Sequence, residues 1–163
     1  MQVIKIKPLD EKSFAPYGDV IDFNRKPDFA INNGKCDRFH DLAQVSILGD
    51  DAKLGISLGR GRPYTLPLEL NMMERHPLGS QAFIPLDKKP FLLIVAADKD
   101  GAPDAPIAFM AEEGQGVNYH RNTWHAVLTP LDEQGDFVIV DRIGEGNNLE
   151  EYFFDTPYLI KNR

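Results

Sequence analysis

An all-β sandwich or barrel is the fold class that this sequence predicts. Its apolar and alternating runs are short, turn-forming residues break them at regular intervals, and few stretches carry a helical period. The runs that read as strands are Asp19–Phe23, Val45–Leu48, Leu54–Gly59, Leu66–Arg75, Gln81–Pro85, Phe91–Ala97, Ile107–Met110, Trp124–Leu128 and Phe137–Arg142. Between them, "GDD", "GRGRP", "LDKKP", "DKDGAPDAP", "EEGQG" and "DEQGD" supply the turn chemistry. "DKDGAPDAP" has the composition of a mobile loop. The twelve prolines fall mostly in turns or at strand ends, where a missing N–H takes nothing from a ladder. Two short terminal helices complete the expectation. In "PLDEKSFAPYG", Asp10 caps, Phe14 turns inward, and Pro16 and Gly18 stop the helix; a second helix is expected over "NNLEEYFF".

Residues 1–163 are enough for one domain with a core of its own. Hydrophobic content of 42% and charged content of 26% are ordinary for a soluble globular protein. The longest apolar run, Phe91–Ala97, is too short to cross a membrane, and "MQVIKIKPLDEK" lacks the apolar segment of a signal peptide. The single cysteine, Cys36, excludes an internal disulfide and suits a reducing compartment, so the cytoplasm is the expected location. A net charge of −7 argues against nucleic acid, which is usually met by a basic face. A small anion would need an arginine or lysine placed locally.

Two dense stretches carry the chemistry: "MMERHPLGSQAFIPL" (72–86) and "GQGVNYHRNTWHAVLTP" (114–130). On a strand, alternate side chains share a face. Glu74 and His76 then share one face with Arg75 on the other, Gln81 pairs with Phe83, and His125 pairs with Val127 while Trp124 faces away. Glu74, His76, Gln81 and His125 can thus converge inside one barrel. A carboxylate and two imidazoles from Glu74, His76 and His125 form a ligand set that suits several divalent ions, with Gln81 as a weak fourth ligand or a donor behind them. The plainer readings are a hydrogen-bonded core histidine for His125, a turn residue for His120 and a surface or interface residue for His40. Trp124 and Tyr119 read as packing residues, with Tyr119 near the mouth of the site. Cys36 has no companion that would mark it as a nucleophile.

The spacing of the two stretches resembles the paired motifs of the cupins. Glu74 stands for the first motif histidine, His76 for the second and Gln81 for the glutamate. In the second motif, after Gly114, His120 and Asn122 take the proline and glycine places, and His125 keeps the histidine. "ERHPLGSQAFIPL" with "QGVNYHRNTWH" is similar to the bacterial ureidoglycolate lyases of allantoin breakdown. "FAPYGDVI", "INNGKCDRFHDLA", "ISLGRGRP" and "VDR" extend the likeness over nearly the whole chain. The segment after Glu145 is the least family-like.

The resemblance implies a cupin-type double-stranded β-helix (jelly-roll) barrel, usually a homodimer. It implies cleavage of (S)-ureidoglycolate to glyoxylate and urea, with a nickel requirement and no organic cofactor. The chemistry needs a base for the hydroxyl proton, an acid for the leaving urea and a clamp for the carboxylate. On this reading His125 or His120 takes the proton, and Glu74 orients or protonates the ureido group. Gln81, Asn118 and Asn122 hydrogen-bond the urea, and Tyr119 borders it. Arg60, just after "GISLG", clamps the carboxylate, unless it is an ordinary turn arginine; Arg75 ranks lower because it points away. Arg38 and Arg142 lie in family-like blocks without an assigned role. The competing readings are an amidohydrolase releasing ammonia from the same substrate, a non-catalytic cupin that binds a small carboxylate, and a cupin isomerase or dioxygenase.

Overall fold

The computed structural model describes residues 1–162. The strands in chain order are β1 (Val3–Pro8), β2 (Gly18–Ile21), β3 (Phe29–Ile31), β4 (Cys36–Arg38), β5 (Lys53–Gly61), β6 (Leu68–Arg75), β7 (Gln81–Pro85), β8 (Phe91–Ala96), β9 (Asp98–Lys99), β10 (Ala102–Pro103), β11 (Ile107–Ala111), β12 (Gly116–Tyr119), β13 (Trp124–His125), β14 (Thr129–Pro130), β15 (Gly135–Ile143) and β16 (Glu150–Lys161). One helical turn, α1 (Glu11–Phe14), interrupts them. Among the described residues, no helix is long and apolar enough to cross a membrane.

Seven strands form a sheet in the order β11-β1-β16-β6-β13-β8-β14, and a further pairing of β11 with β8 closes it on itself. A five-stranded sheet, β2-β12-β7-β15-β5, lies across one face of this barrel. The element that makes both possible is β8, whose six residues are all buried. Phe91, Leu93 and Val95 enter a core with Phe83, Val117, Tyr119 and Phe137 of the five-stranded sheet. Leu92, Ile94 and Ala96 enter a second core with Leu70, Met73, Trp124 and Ile160. An unbroken apolar run suits a strand covered on both sides, whereas its neighbours alternate. This all-β barrel is the architecture expected of a cupin-type fold.

The terminal helices fare differently. Asp10 does cap α1, accepting from the Ser13 backbone N–H at 2.9 Å, but the helix is a single turn. Phe14 ends it fully buried, edge-on to Phe109. The helix expected over "NNLEEYFF" is instead β16, paired antiparallel with β6 with a bulge between Phe153 and Tyr158. Its local pattern suited either state. A free edge on β6 and an aromatic row running from Trp124 through Tyr152 and Phe154 to Tyr158 decide for the strand. Of the expected strand Val45–Leu48, only Ile47 bridges, to Gly79, and Trp124–Leu128 shortens to two residues. Part of "DKDGAPDAP" is a small hairpin of β9 and β10.

Phe137→Ala would open a hole between the two sheets, because Phe137 is 1% exposed and packs edge-on against Phe91 and Phe83. We expect a loss of about 3–5 kcal/mol in chemical denaturation followed by circular dichroism.

Candidate active site

Three side chains meet at one end of the space between the sheets. Strand β13 lies beside both β6 and β8, with His125 opposite Glu74 on one side and Val95 on the other. Because Val95 faces the space between the sheets, His125 does too, while Trp124 faces the opposite core. His76 follows Glu74 by two residues on the same face of the chain as β6 ends. The imidazole rings of His76 and His125 lie 5.1 Å apart. One ligand-type atom from each of Glu74, His76 and His125 falls within 4.8 Å of the others.

Hydrogen bonds fix how these rings present themselves. His125 Nδ1 lies 3.0 Å from the Ala126 carbonyl, which only accepts, so the N–H is on Nδ1 and Nε2 carries a lone pair. That Nε2 is buried and has no hydrogen-bond partner. His76 Nδ1 is likewise 2.7 Å from the Asn148 carbonyl, which turns Nε2 towards Gln81 Oε1 at 3.2 Å and Glu74 Oε1 at 4.0 Å. Tyr119 stacks flat on His125, centroids 4.3 Å apart and planes 5° from parallel. Burial, reinforced by His76, pushes the His125 pKa down to about 3, so the ring is neutral at physiological pH. Burial raises the Glu74 carboxyl; nearby His76 opposes the shift and Glu151 adds to it. Burial also raises the Tyr119 phenol.

Gln81 joins the group through its amide, whose Nε2 donates to Asp141 Oδ2 at 3.0 Å. Asp141 had no assigned role in the sequence. Its position opposite Gln81 in the β7–β15 register is what brings it here, and spacing alone carries no such signal. Asn148 was missed for the same reason: its backbone carbonyl meets His76 and its side chain accepts from Leu78 N–H at 2.8 Å.

Other expected residues lie elsewhere. Asn118 and His120 project from the opposite face of β12 to Tyr119. There Asp19 Oδ2 accepts from Gln44 N–H at 2.8 Å, Asn118 Nδ2 at 3.0 Å and His120 Nε2 at 3.0 Å. Beside this second polar group are a cavity of about 610 Å³ lined by Asp19 and residues 41–45, and one of about 390 Å³ lined by Gln44, Val45, Ser46, His120 and Arg121. Asn122 contributes its backbone, donating to the His76 carbonyl at 3.0 Å from a left-handed conformation. Arg60 is held bidentately by Asp136 at 2.9 and 3.0 Å. It lies five positions along β5 from Gly55, the partner of Asp141, roughly 16 Å at the usual strand rise. The carboxylate clamp expected of Arg60 is therefore not delivered to the triad. Arg75 does occupy the face opposite Glu74, but it is covered. Its guanidinium sits 4.4 Å over the Trp124 ring and reaches Glu150 and Asp98, each at 2.6 Å.

The family model described as "Ureidoglycolate lyase" matches residues 1–161. The chain belongs to the ureidoglycolate lyase family. It is 59% identical over 160 residues to the ureidoglycolate lyase of Chelativorans sp. (strain BNC1), covering 98% of this chain and 97% of that protein. It is 53% identical over 158 residues to ureidoglycolate lyase 2 of Rhizobium meliloti (strain 1021), covering 97% of each. The ureidoglycolate lyase of Mesorhizobium japonicum is also 53% identical, over 98% of each chain.

The triad fits a divalent ion. Both Nδ1–H groups are anchored on backbone carbonyls, the arrangement that holds histidine ligands in place, and this leaves both Nε2 atoms available for coordination beside the Glu74 carboxylate. Without an ion, neutral His125 makes the folded state sensitive to acid. The unfolded chain takes up a proton near pH 6.5 that the folded site refuses until about pH 3, so stability falls as pH drops through this window. Denaturation of chelator-treated protein between pH 8 and 5 should show this loss, and His125→Asn should flatten the slope.

Proposed function

We propose that this chain cleaves (S)-ureidoglycolate to glyoxylate and urea. The observation that carries the reading is the meeting of Glu74, His76 and His125 at one end of the barrel in a chain of this family. The substrate is a carbinol-urea bearing a carboxylate. Its cleavage moves the hydroxyl proton, forms a C=O bond, breaks the C–N bond and protonates the departing nitrogen, with no change of oxidation state. Glu74 suits the proton transfers because desolvation raises its carboxyl above the ordinary carboxylate value, making it a stronger base for the hydroxyl proton, which it can then return to the urea nitrogen. The proton-accepting role expected of His125 fits less well, since a pKa of about 3 makes it a poor base. His120, paired with Asp19 on the outer face of β12, is turned away from the triad.

In this reading His76, His125 and one oxygen of Glu74 would hold a divalent ion, nickel by family likeness, which would polarise the substrate oxygens, and the other oxygen of Glu74 stays free for the proton. Arg121 replaces Arg60 as the carboxylate clamp. Its Nη1 donates to the carbonyl of Pro77, next to His76, at 2.9 Å. Arg75 and Arg142 are each committed to several acceptors at this end of the barrel. The chain acts in the cytoplasm as a homodimer. Supporting the dimer, Leu54, Ile56 and Leu58 lie exposed on one face of edge strand β5, with Ile56 79% and Leu58 75% accessible.

Incubation with racemic ureidoglycolate should yield urea and glyoxylate in equal amounts and stop at half conversion. Ammonia in place of urea would identify the amidohydrolase instead, and no product above the spontaneous rate, with nickel added, would sink the lyase reading. Glu74→Gln should lower kcat by about 100-fold or more. Arg121→Ala should act mainly on KM, raising it about 10-fold or more. For the dimer, light scattering on Ile56→Asp/Leu58→Asp should read a monomer where the parent reads twice that mass.

A further inference from the structure

We infer that Asp141 is a positioning residue that locks the Gln81 amide with its oxygen towards the triad, making Gln81 Oε1 the fourth ligand atom of the cation site. This rests on the metal-holding part of the reading above and deepens it. A glutamine amide can face a site with a donor or an acceptor, and its neighbours decide which. Asp141 offers only carboxylate oxygens, so the amide nitrogen turns to it, 3.0 Å from Oδ2, and the oxygen is left 3.2 Å from His76 Nε2. The register Asp141↔Gln81 between β15 and β7 holds the two side by side, so the orientation belongs to the sheet rather than to a mobile loop.

The consequence follows from the other three groups. His76 spends its Nδ1–H on Asn148 and His125 spends its own on Ala126. With His76 unprotonated at Nε2, what remains facing inward is Glu74 oxygen, two Nε2 lone pairs and the Gln81 oxygen, all acceptors. At 3.2 Å, His76 Nε2 donates to Gln81 Oε1 when it carries a proton, and a cation bound in its place would meet the same oxygen. An acceptor-only pocket of two nitrogens and two oxygens selects a cation. If the amide were reversed, its NH2 group would face the site and repel that cation.

The test measures nickel affinity by competition with a chelating dye and follows the visible spectrum of the cobalt-loaded protein; neither readout needs turnover. Asp141→Asn frees the amide to flip and should weaken nickel binding about 10- to 100-fold with a changed cobalt spectrum. Glu151→Gln removes the same charge near Glu74 without touching Gln81, and should weaken binding clearly less. Gln81→Glu/Asp141→Asn keeps the net charge and exchanges donor for acceptor, so it should recover most of the affinity. Melting curves confirm that each variant is folded, with Asp141→Glu as the alternative should Asp141→Asn fail to fold. Equal losses for Asp141→Asn and Glu151→Gln would reduce Asp141 to a field effect and overturn the inference, as would unchanged affinity in Asp141→Asn. A parent protein that binds no divalent ion overturns it too while leaving urea release to stand or fall on its own assay. Conversely, the predicted affinity pattern in a protein that releases no urea would uphold the inference and remove the substrate.

Discussion

Strand β8 has no solvent face, and the placement of the site follows from that. Its odd residues, Phe91, Leu93 and Val95, fill the space between the sheets, while Leu92, Ile94 and Ala96 fill the second core. Any strand that pairs with β8 inherits the same division. Trp124 stands opposite Ala96 and His125 opposite Val95, so β13, only two residues long, sends its indole one way and its imidazole the other. Shifting the register by one residue would exchange them, placing a bulky indole among the ligands and an imidazole in an aliphatic core. The register is therefore tied to the best-packed strand of the molecule.

The two faces also divide the electrostatic work. On the face away from the triad, Arg75 is clamped between Glu150 and Asp98 and lies over Trp124, whose indole N–H donates to Asp98 at 2.9 Å. This network ties the end of β6 to β16 and to the hairpin after β8, the strand end from which Glu74 projects and after which His76 follows. On the near face, burial works against charge: His125 is driven neutral and Glu74 towards its protonated form. A rigid, charge-satisfied back supports a front whose lone pairs face a common point. Arg75 thus braces from behind the strand end that carries Glu74.

Much of this was legible in the sequence because alternation is a local property. The pattern in "MMERHP" put Glu74 and His76 together with Arg75 opposed, and the pattern in "TWHAV" separated His125 from Trp124. Both hold. Non-local pairing was not legible. The segment 147–154 carries a sequence compatible with a helix, and only the open edge of β6 turns most of it into β16. Gln81 announced itself by motif position, but Asp141 and Asn148 reach the site through pairing and a chain turn far along the sequence. Arg60 stands out in the sequence for its turn and its charge, but strand length carries it to the other end of β5.

Residues 118–125 show why closeness in sequence is a poor guide to a shared site. Tyr119 stacks on His125, whereas Asn118 and His120, its immediate neighbours, gather around Asp19 on the far side of the same strand. The turn that follows crosses back. Asn122 donates its backbone N–H to the carbonyl of His76, and Arg121 reaches the carbonyl of Pro77. One short segment thus borders the cavity by His120 and Arg121 and also braces the strand end that carries the triad. A side chain lining that cavity and a backbone bond holding His76 belong to consecutive residues, Arg121 and Asn122. The turn thus ties the wall of that cavity to the strand end that carries Glu74 and His76, although the two lie on opposite faces of β12.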